Sequence, residues 1–190
     1  MDQITAGFAL TGSFCTFSEV IPEIKHLTDL GIRVVPIMSD NAYKTDTRFG
    51  KAEDFVAQLR EITGSDVLHT INDAEPIGPK KLLDVLIVAP CTGNTLAKIT
   101  AGIADTAVTL AVKSHLRNQR PVLIGISTND ALSTAAKNIG HLHNRKHVYF
   151  IPYTQDDSEN KPNSIVADFT KIPQAMEAAL AGKQIQPILL

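Results

Sequence analysis

The chain carries 190 residues, 20% of them charged and 44% hydrophobic, with a formal net charge of -2. This length and composition fit one globular domain, residues 1–190, and the near-neutral charge gives no general electrostatic case for nucleic acid or an anionic membrane as partner. The first residues show no basic segment followed by a long apolar run, and no stretch is long enough to span a bilayer. Cys15 and Cys91 are spaced neither as metal ligands nor as a disulfide framework, so a cytoplasmic protein without a metal is expected.

Residues 4–11 form a short run of apolar and small side chains that reads as a strand, and it ends in Gly12-Ser13-Phe14-Cys15-Thr16. Val20, Ile21, Ile24, Leu27 and Leu30 then recur at helical spacing until Gly31 supplies a stop. A glycine here lets the backbone approach a phosphate, while Ser13 and Thr16 serve equally as hydrogen-bond donors or helix caps. The three-glycine dinucleotide fingerprint is absent. Residues 32–38 read as a second strand despite Pro36, with Ser39-Asp40-Asn41 at its carboxyl end. A helix over 51–63 follows, its stripe Phe55, Val56, Leu59 and Ile62, and Gly64 ends it. The Glu75-Pro76 and Gly78-Pro79 steps argue against regular structure before the next strand. His69 precedes them; a loop imidazole is ordinarily hydrogen-bonded or solvent-facing, and it can also work as an acid or base.

The chain is organised around residues 82–105. Residues 82–89 are almost continuously apolar, as a parallel strand covered on both faces requires, and Pro90 is expected to end them. The turn Cys91-Thr92-Gly93-Asn94-Thr95 is small and polar, and Leu96, Ile99 and Ile103 restart at helical spacing. Ligands of open parallel sheets bind outside the carboxyl ends of the strands, against helix N-termini. Thr92, Asn94 and Thr95 therefore read either as ligand contacts or as helix caps. Residues 107–118 form a helix whose Lys113, His115 and Arg117 complement its dipole as cations. A buried strand over 121–126 ends in Ser127-Thr128-Asn129-Asp130, a helix covers 131–142, and 147–151 is a further strand. The polar stretch 154–163 reads as an exposed loop, a lid or more simply a connection, 171–180 as the last helix, and 184–190 as an apolar tail that packs on its own domain or on a neighbouring protomer. The expected fold is α/β, a Rossmann-like, open and mostly parallel sheet with helices on both faces in three layers.

Pro90, Asn94, Thr95, Lys98, Gly102, Ile103 and Asp105 together form a Pro-x-x-x-Asn-Thr turn followed by a helical Lys and Gly-Ile-x-Asp. In this the chain resembles the flavin-containing decarboxylase-like flavoproteins, a family that includes cysteine-peptide and phosphopantothenoylcysteine decarboxylases and the flavin prenyltransferases. Residues 12–16, 74–79, 89–95, 115–118, 127–132, 149–150, 155–157 and 184–187 narrow the resemblance to its branch of dipicolinate synthase B subunits. The resemblance implies FMN, with phosphate near Gly12, Ser13 and Ser39 and the ring near Pro90, Thr92, Asn94, Ser127, Thr128 and Asn129. Phe14, Asn41 and Thr95 complete the implied cofactor set. Asn94 is implied to orient substrate or ring, and His69 sits in the Val-Leu-His context of a substrate-handling histidine, at a longer spacing from Pro90 than the decarboxylases have. Ser127-Thr128-Asn129 replaces the decarboxylases' Pro-Ala-Met-Asn, and their late cysteine-containing lid has no counterpart.

What the resemblance implies about function is a homo-oligomeric component of an oxidoreductase that works, during sporulation, with an A subunit carrying NAD(P). The pair would oxidise a dihydrodipicolinate-type diacid to dipicolinate. Lys98, Lys113 and Arg117 are candidate cations for the diacid. A non-catalytic scaffolding role and an FMN-dependent decarboxylase are the alternatives.

Overall fold

The computed structural model describes residues 3–190. Three buried, largely apolar runs make the central strands: β1 (Thr5–Leu10), β3 (Val85–Cys91) and β4 (Val122–Thr128), with β2 (Arg33–Met38) outside β1. Between them run α1 (Phe17–Asp29), α2 (Asp40–Lys44), α3 (Ala52–Thr63), α4 (Ile71–Ala74), α5 (Gly93–Ala101) and α6 (Ala107–Arg117). After β4 come α7 (Ala136–His143), β5 (Val148–Phe150), the pair β6 (Tyr153–Asp157) and β7 (Lys161–Ala167), and α8 (Ile172–Leu180). The sheet order is β2-β1-β3-β4-β7-β6, with β5 also on β4. Strands β1 to β5 are parallel, while β7 is antiparallel to both β4 and β6.

Helices α1 and α8 lie together against β3 on one face, and α6 covers β2, β3 and β4 on the other, flanked by α4 and α5. Cover on both faces is the reason β1, β3 and β4 carry no alternation of polar residues. This is the three-layer, Rossmann-like architecture that the pattern of strands and helices predicts. Among the described residues, no helix is long and apolar enough to cross a membrane.

Pro36 sits inside β2 because its carbonyl faces the outer edge, where it accepts from Leu68 N at 2.9 Å. Its missing N–H faces that same edge, so the ladder to β1 loses nothing. Several expectations need correction. Strand β3 does not end before Pro90 but runs through it to Cys91, and its register with β4 shifts between Val88 and Cys91, which accommodates the absent donor. Residues 71–77 are helical, because Pro76 occupies the first turn of a 3-10 segment, where no N–H is required. Ile103 lies beyond α5 and is exposed. The helix expected over 131–142 begins only at Ala136, after a run of turns.

The stretch 154–163 is a β-hairpin rather than a loop. Its polar side chains face solvent at the sheet's edge, and Asp157 accepts from Glu159 N and Asn160 N at its turn. The tail is tied to its own chain by hydrogen bonds, Gln184 Nε2 to Phe150 O, Phe150 N to Gln184 Oε1 and Leu190 N to Tyr153 O, but contrary to expectation Leu189 and Leu190 stay exposed.

Candidate functional site

The carboxyl ends of β1, β3 and β4 open into a cleft of about 1030 Å³. Thr11, at the end of β1, is 1% exposed and holds its floor together. Its Oγ1 donates to Pro90 O at 2.7 Å and accepts from Thr92 N at 3.0 Å, so one buried hydroxyl fixes where β3 ends and α5 begins. Thr92 is the N-cap of α5: its Oγ1 accepts from Thr95 N at 3.3 Å and its carbonyl from Leu96 N at 2.9 Å. The N–H groups of Gly93 and Asn94 are then the ones left at the helix start, beside the cleft. An added Cβ at Gly93 would stand 2.7 Å from Asp130 Oδ1 and 2.9 Å from Thr128 Oγ1, so only glycine lets the β4 turn close on this helix.

Two further ties complete the frame. The Ser13 and Ser127 hydroxyls share a hydrogen bond of 2.7 Å across a separation of 114 residues, joining the turns after β1 and β4. Strand β7 pairs with Ser127 and Thr128, so the hairpin forms a side wall that brings Asp156, Lys161 and Ser164 to the cleft. Lys161 Nζ donates to Asp156 at 2.7 Å and is the only cationic side chain lining the cleft among the described residues, against Glu19, Asp130 and Asp156.

The structure brings Gly12, Ser13, Phe14, Thr92, Asn94, Ser127, Thr128 and Asn129 together on this cleft. The other sequence candidates do not line it in the single chain: Pro90 and Thr95 lie beneath its floor, Asn41 beside Gly12, and Ser39 and His69 at the end and the edge of β2. Ser39 caps α2 by accepting from Ala42 N, and Asn41 is exposed on that helix, its Cβ 3.9 Å from the position of a Cβ on Gly12. Pro90 is buried in β3, and the buried Thr95 hydroxyl is turned to Thr92 at 3.0 Å. His69 lies outside the edge of β2, its ring centroid 3.6 Å from that of Tyr43, with its buried Nδ1 unpartnered.

The cations considered for a diacid also lie elsewhere. Lys98 pairs with Asp105 at 2.9 Å, Lys113 and Arg117 stand on a second cleft, and His115 is not a cation at all. His115 is 2% exposed, and burial, aided by the charge of Arg120, pushes its pKa down to about 4. Sequence reasoning missed Lys161 and Asp156 because the hairpin looked like a connection; the short apolar run Ile165-Val166-Ala167 after it was its only signal.

An open, mostly parallel sheet with a polar cleft across its strand ends and a helix start beside it defines a Rossmann-like α/β protein. The family model described as Flavoprotein matches residues 1–176, and the chain belongs to that family. It is 44% identical over 184 residues to the B subunit of dipicolinate synthase from Bacillus subtilis (strain 168), covering 97% of this chain and 92% of the relative. The crystal structure of the dipicolinate synthase B subunit from Bacillus halodurans is 42% identical, with a TM-score of 0.91 over 100% of this chain and 98% of that one. At 18% identity, Burkholderia xenovorans DmrB in complex with FMN shares the fold, with a TM-score of 0.71 over 94% of this chain and 96% of that one.

Proposed function

We propose that this chain is a one-domain, cytoplasmic B subunit of a dipicolinate synthase, active in sporulating cells. It holds FMN in the cleft at the ends of β1, β3 and β4 and works with a nicotinamide-binding A subunit to oxidise a dihydrodipicolinate-type diacid to dipicolinate. The observation that carries this reading is the convergence of Gly12, Ser13, Thr92, Asn94, Ser127, Thr128 and Asn129 on one cleft in a chain so similar to the Bacillus proteins. The cleft suits the cofactor in size, since pockets for small ligands run to roughly 1,000 Å³. Its hydroxyl, amide and backbone N–H groups also suit a phosphate and a heteroaromatic edge.

Bound flavin would supply a two-electron acceptor for the aromatisation. The chain's own residues do the rest. Gly12 and the Ser13 hydroxyl hold the phosphate end, and the Ser127 hydroxyl and the N–H groups at the start of α5 face the ring. Asn94 and Asn129, exposed on the wall, orient the ring or the substrate. Lys161 binds one substrate carboxylate, and the hairpin that carries it excludes water from one side.

The test is dipicolinate formation from fresh precursor with a nicotinamide acceptor, using the A subunit with and without this chain, with and without FMN. A large rise that an Asn94→Ala variant fails to give supports the reading. Equal rates with and without the chain, in both flavin conditions, overturn it, and carbon dioxide release instead would point to a decarboxylase.

A further inference from the structure

A second cleft, of about 530 Å³, lies at the opposite end of the sheet, where the chain enters β4 and β5. Lys113 and Arg117, four residues apart on α6, form one side, and Arg145 and Lys146, just beyond α7, form the other. No carboxylate lines it, and none of the four cations takes part in an ion pair among the described residues. Four unpaired cations facing one concavity need an explanation in a chain whose net charge is -2. The helix dipole does not suffice: the carboxyl ends of α6 and α7 carry roughly half a negative charge each, which leaves about three positive charges uncompensated.

Two independent features mark the same place. Among the described residues, three that are not glycine have positive φ, and two of them, Gln119 (57°) and His147 (65°), line this cleft. Gln119 takes it as the residue after the C-cap of α6, closing the helix with Gln119 N on Leu116 O and Arg120 N on His115 O, whereas His147 carries the costly conformation in the turn closed by Val148 N on Arg145 O. His147 also has a buried Nε2 without a hydrogen-bond partner. Its carbonyl is fixed by Val122 N at 2.9 Å, so the ring is held in place by the start of β4.

We propose that this cleft binds a compact oxyanion carrying two or more negative charges, a phosphate ester or a small dicarboxylate. Arg117 and the nitrogens of Arg145 that are not on Ile99 O take its oxygens, Lys113 and Lys146 neutralise it, and the His147 ring packs behind them. The site is separate from the flavoprotein cleft by the length of β4, roughly 20 Å for its seven residues, and does not rest on the function proposed for that cleft.

The test is calorimetric titration of the full chain, at fixed ionic strength, with pyrophosphate and with pyridine-2,6-dicarboxylate. Three forms are compared: the natural chain, an Arg117→Gln/Lys146→Gln double variant, and a Lys80→Gln/Lys183→Gln double variant of equal net charge. All four positions are exposed, so both variants fold, as far-UV circular dichroism will verify. The expected result is one saturable site for at least one probe, at least tenfold weaker in the first variant and unchanged in the second. Preference for one probe identifies the source of the oxyanion. Absence of saturable binding, equal affinity in the first variant, or equal weakening in both overturns the proposal. Retention of polyglutamate without saturable binding of either small probe also overturns it, in favour of an acidic protein partner.

Discussion

Replacing Thr11 by Val keeps the side chain's shape and removes the hydroxyl that joins β1 to the end of β3. Two hydrogen bonds go with it, the 2.7 Å bond to Pro90 O and the 3.0 Å bond from Thr92 N. Pro90 O keeps a second donor, Thr11 N at 3.3 Å, so its loss is small. Thr92 N has no such reserve within the chain, and an unsatisfied buried donor costs about 1–3 kcal/mol. Adding about 1 kcal/mol for the lost bond to Pro90, and discounting because Thr92 is only half-buried, gives a destabilisation of about 2 kcal/mol. Urea unfolding followed by circular dichroism reads this directly. With a slope of about 2 kcal/mol per molar, the midpoint drops by roughly 1 M. Thr11→Ser, which keeps the hydroxyl, should recover most of the loss. Because Thr92 also caps α5, the valine variant should bind FMN more weakly than the serine variant. A midpoint within about 0.2 M of the natural chain's, on the order of the extrapolation error, would refute the view that this hydroxyl organises the floor of the cleft.

Three further outcomes are expected. The His115 pKa is lowered from its unfolded value near 6.5 to about 4, so the unfolded chain binds the extra proton first. Its contribution to stability is complete above pH 6.5 and is lost as pH falls towards 4, by up to about 1.4 kcal/mol per unit; His115→Gln should flatten that part of the stability–pH curve. At Gly125 an added Cβ would meet Ile151 Cδ1 at 2.9 Å, Ala89 Cβ at 3.0 Å and Phe169 Cε1 at 3.1 Å, so Gly125→Ala should lower the unfolding midpoint by an amount equivalent to about 1–3 kcal/mol. Alkylation of the native chain with iodoacetamide should label the exposed Cys15 and spare Cys91, whose thiol is fully buried and held protonated by desolvation; mass spectrometry showing both labelled at similar rates would contradict the buried placement.

What could be read from the residues follows from where burial writes a periodic pattern. The run Val85–Ala89 is apolar without alternation because both faces of β3 are covered, and that alone announces a central parallel strand. The turns after β1, β3 and β4 were legible as well, because small polar residues follow each buried run, and the structure gathers them on one cleft. The hairpin was not legible, because an edge pair with a face in water is polar by composition, and its buried Ser164, Ile165 and Ala167 are too few to establish a period. His115 was misread as a cation although Val108, Ala111, Val112 and His115 share one helical face, and that face is buried. Position at a helix end suggested one role, and packing imposed another. Ser39 and Asn41 were assigned to a cofactor through family resemblance and His69 through its titration range as well, and their place off the cleft lining in the single chain depends on long-range geometry that local spacing does not encode.

The hairpin's attachment has a bearing on how this scaffold can diversify. Strand β7 meets β4 only at Ser127–Val166 and Thr128–Ile165, whereas the floor of the cleft is built from β1, β3 and α5. One wall is thus clipped to β4 by two residue pairs, and its base is tied further by Leu132 N on Asn163 O, by the Tyr153 backbone bonds to Ile188 and Leu190 and by the Tyr153 hydroxyl on His143 Nε2, while its turn is free of the floor. Insertions, deletions or charge reversals between Tyr153 and Ala167 can change which molecule is admitted while the chemistry beneath stays constant. For anyone redesigning such a protein, the exposed positions of this 15-residue segment are the place to graft a new selectivity, and the two β4 pairs, together with the buried Tyr153, Ile165 and Ala167, are the contacts to preserve.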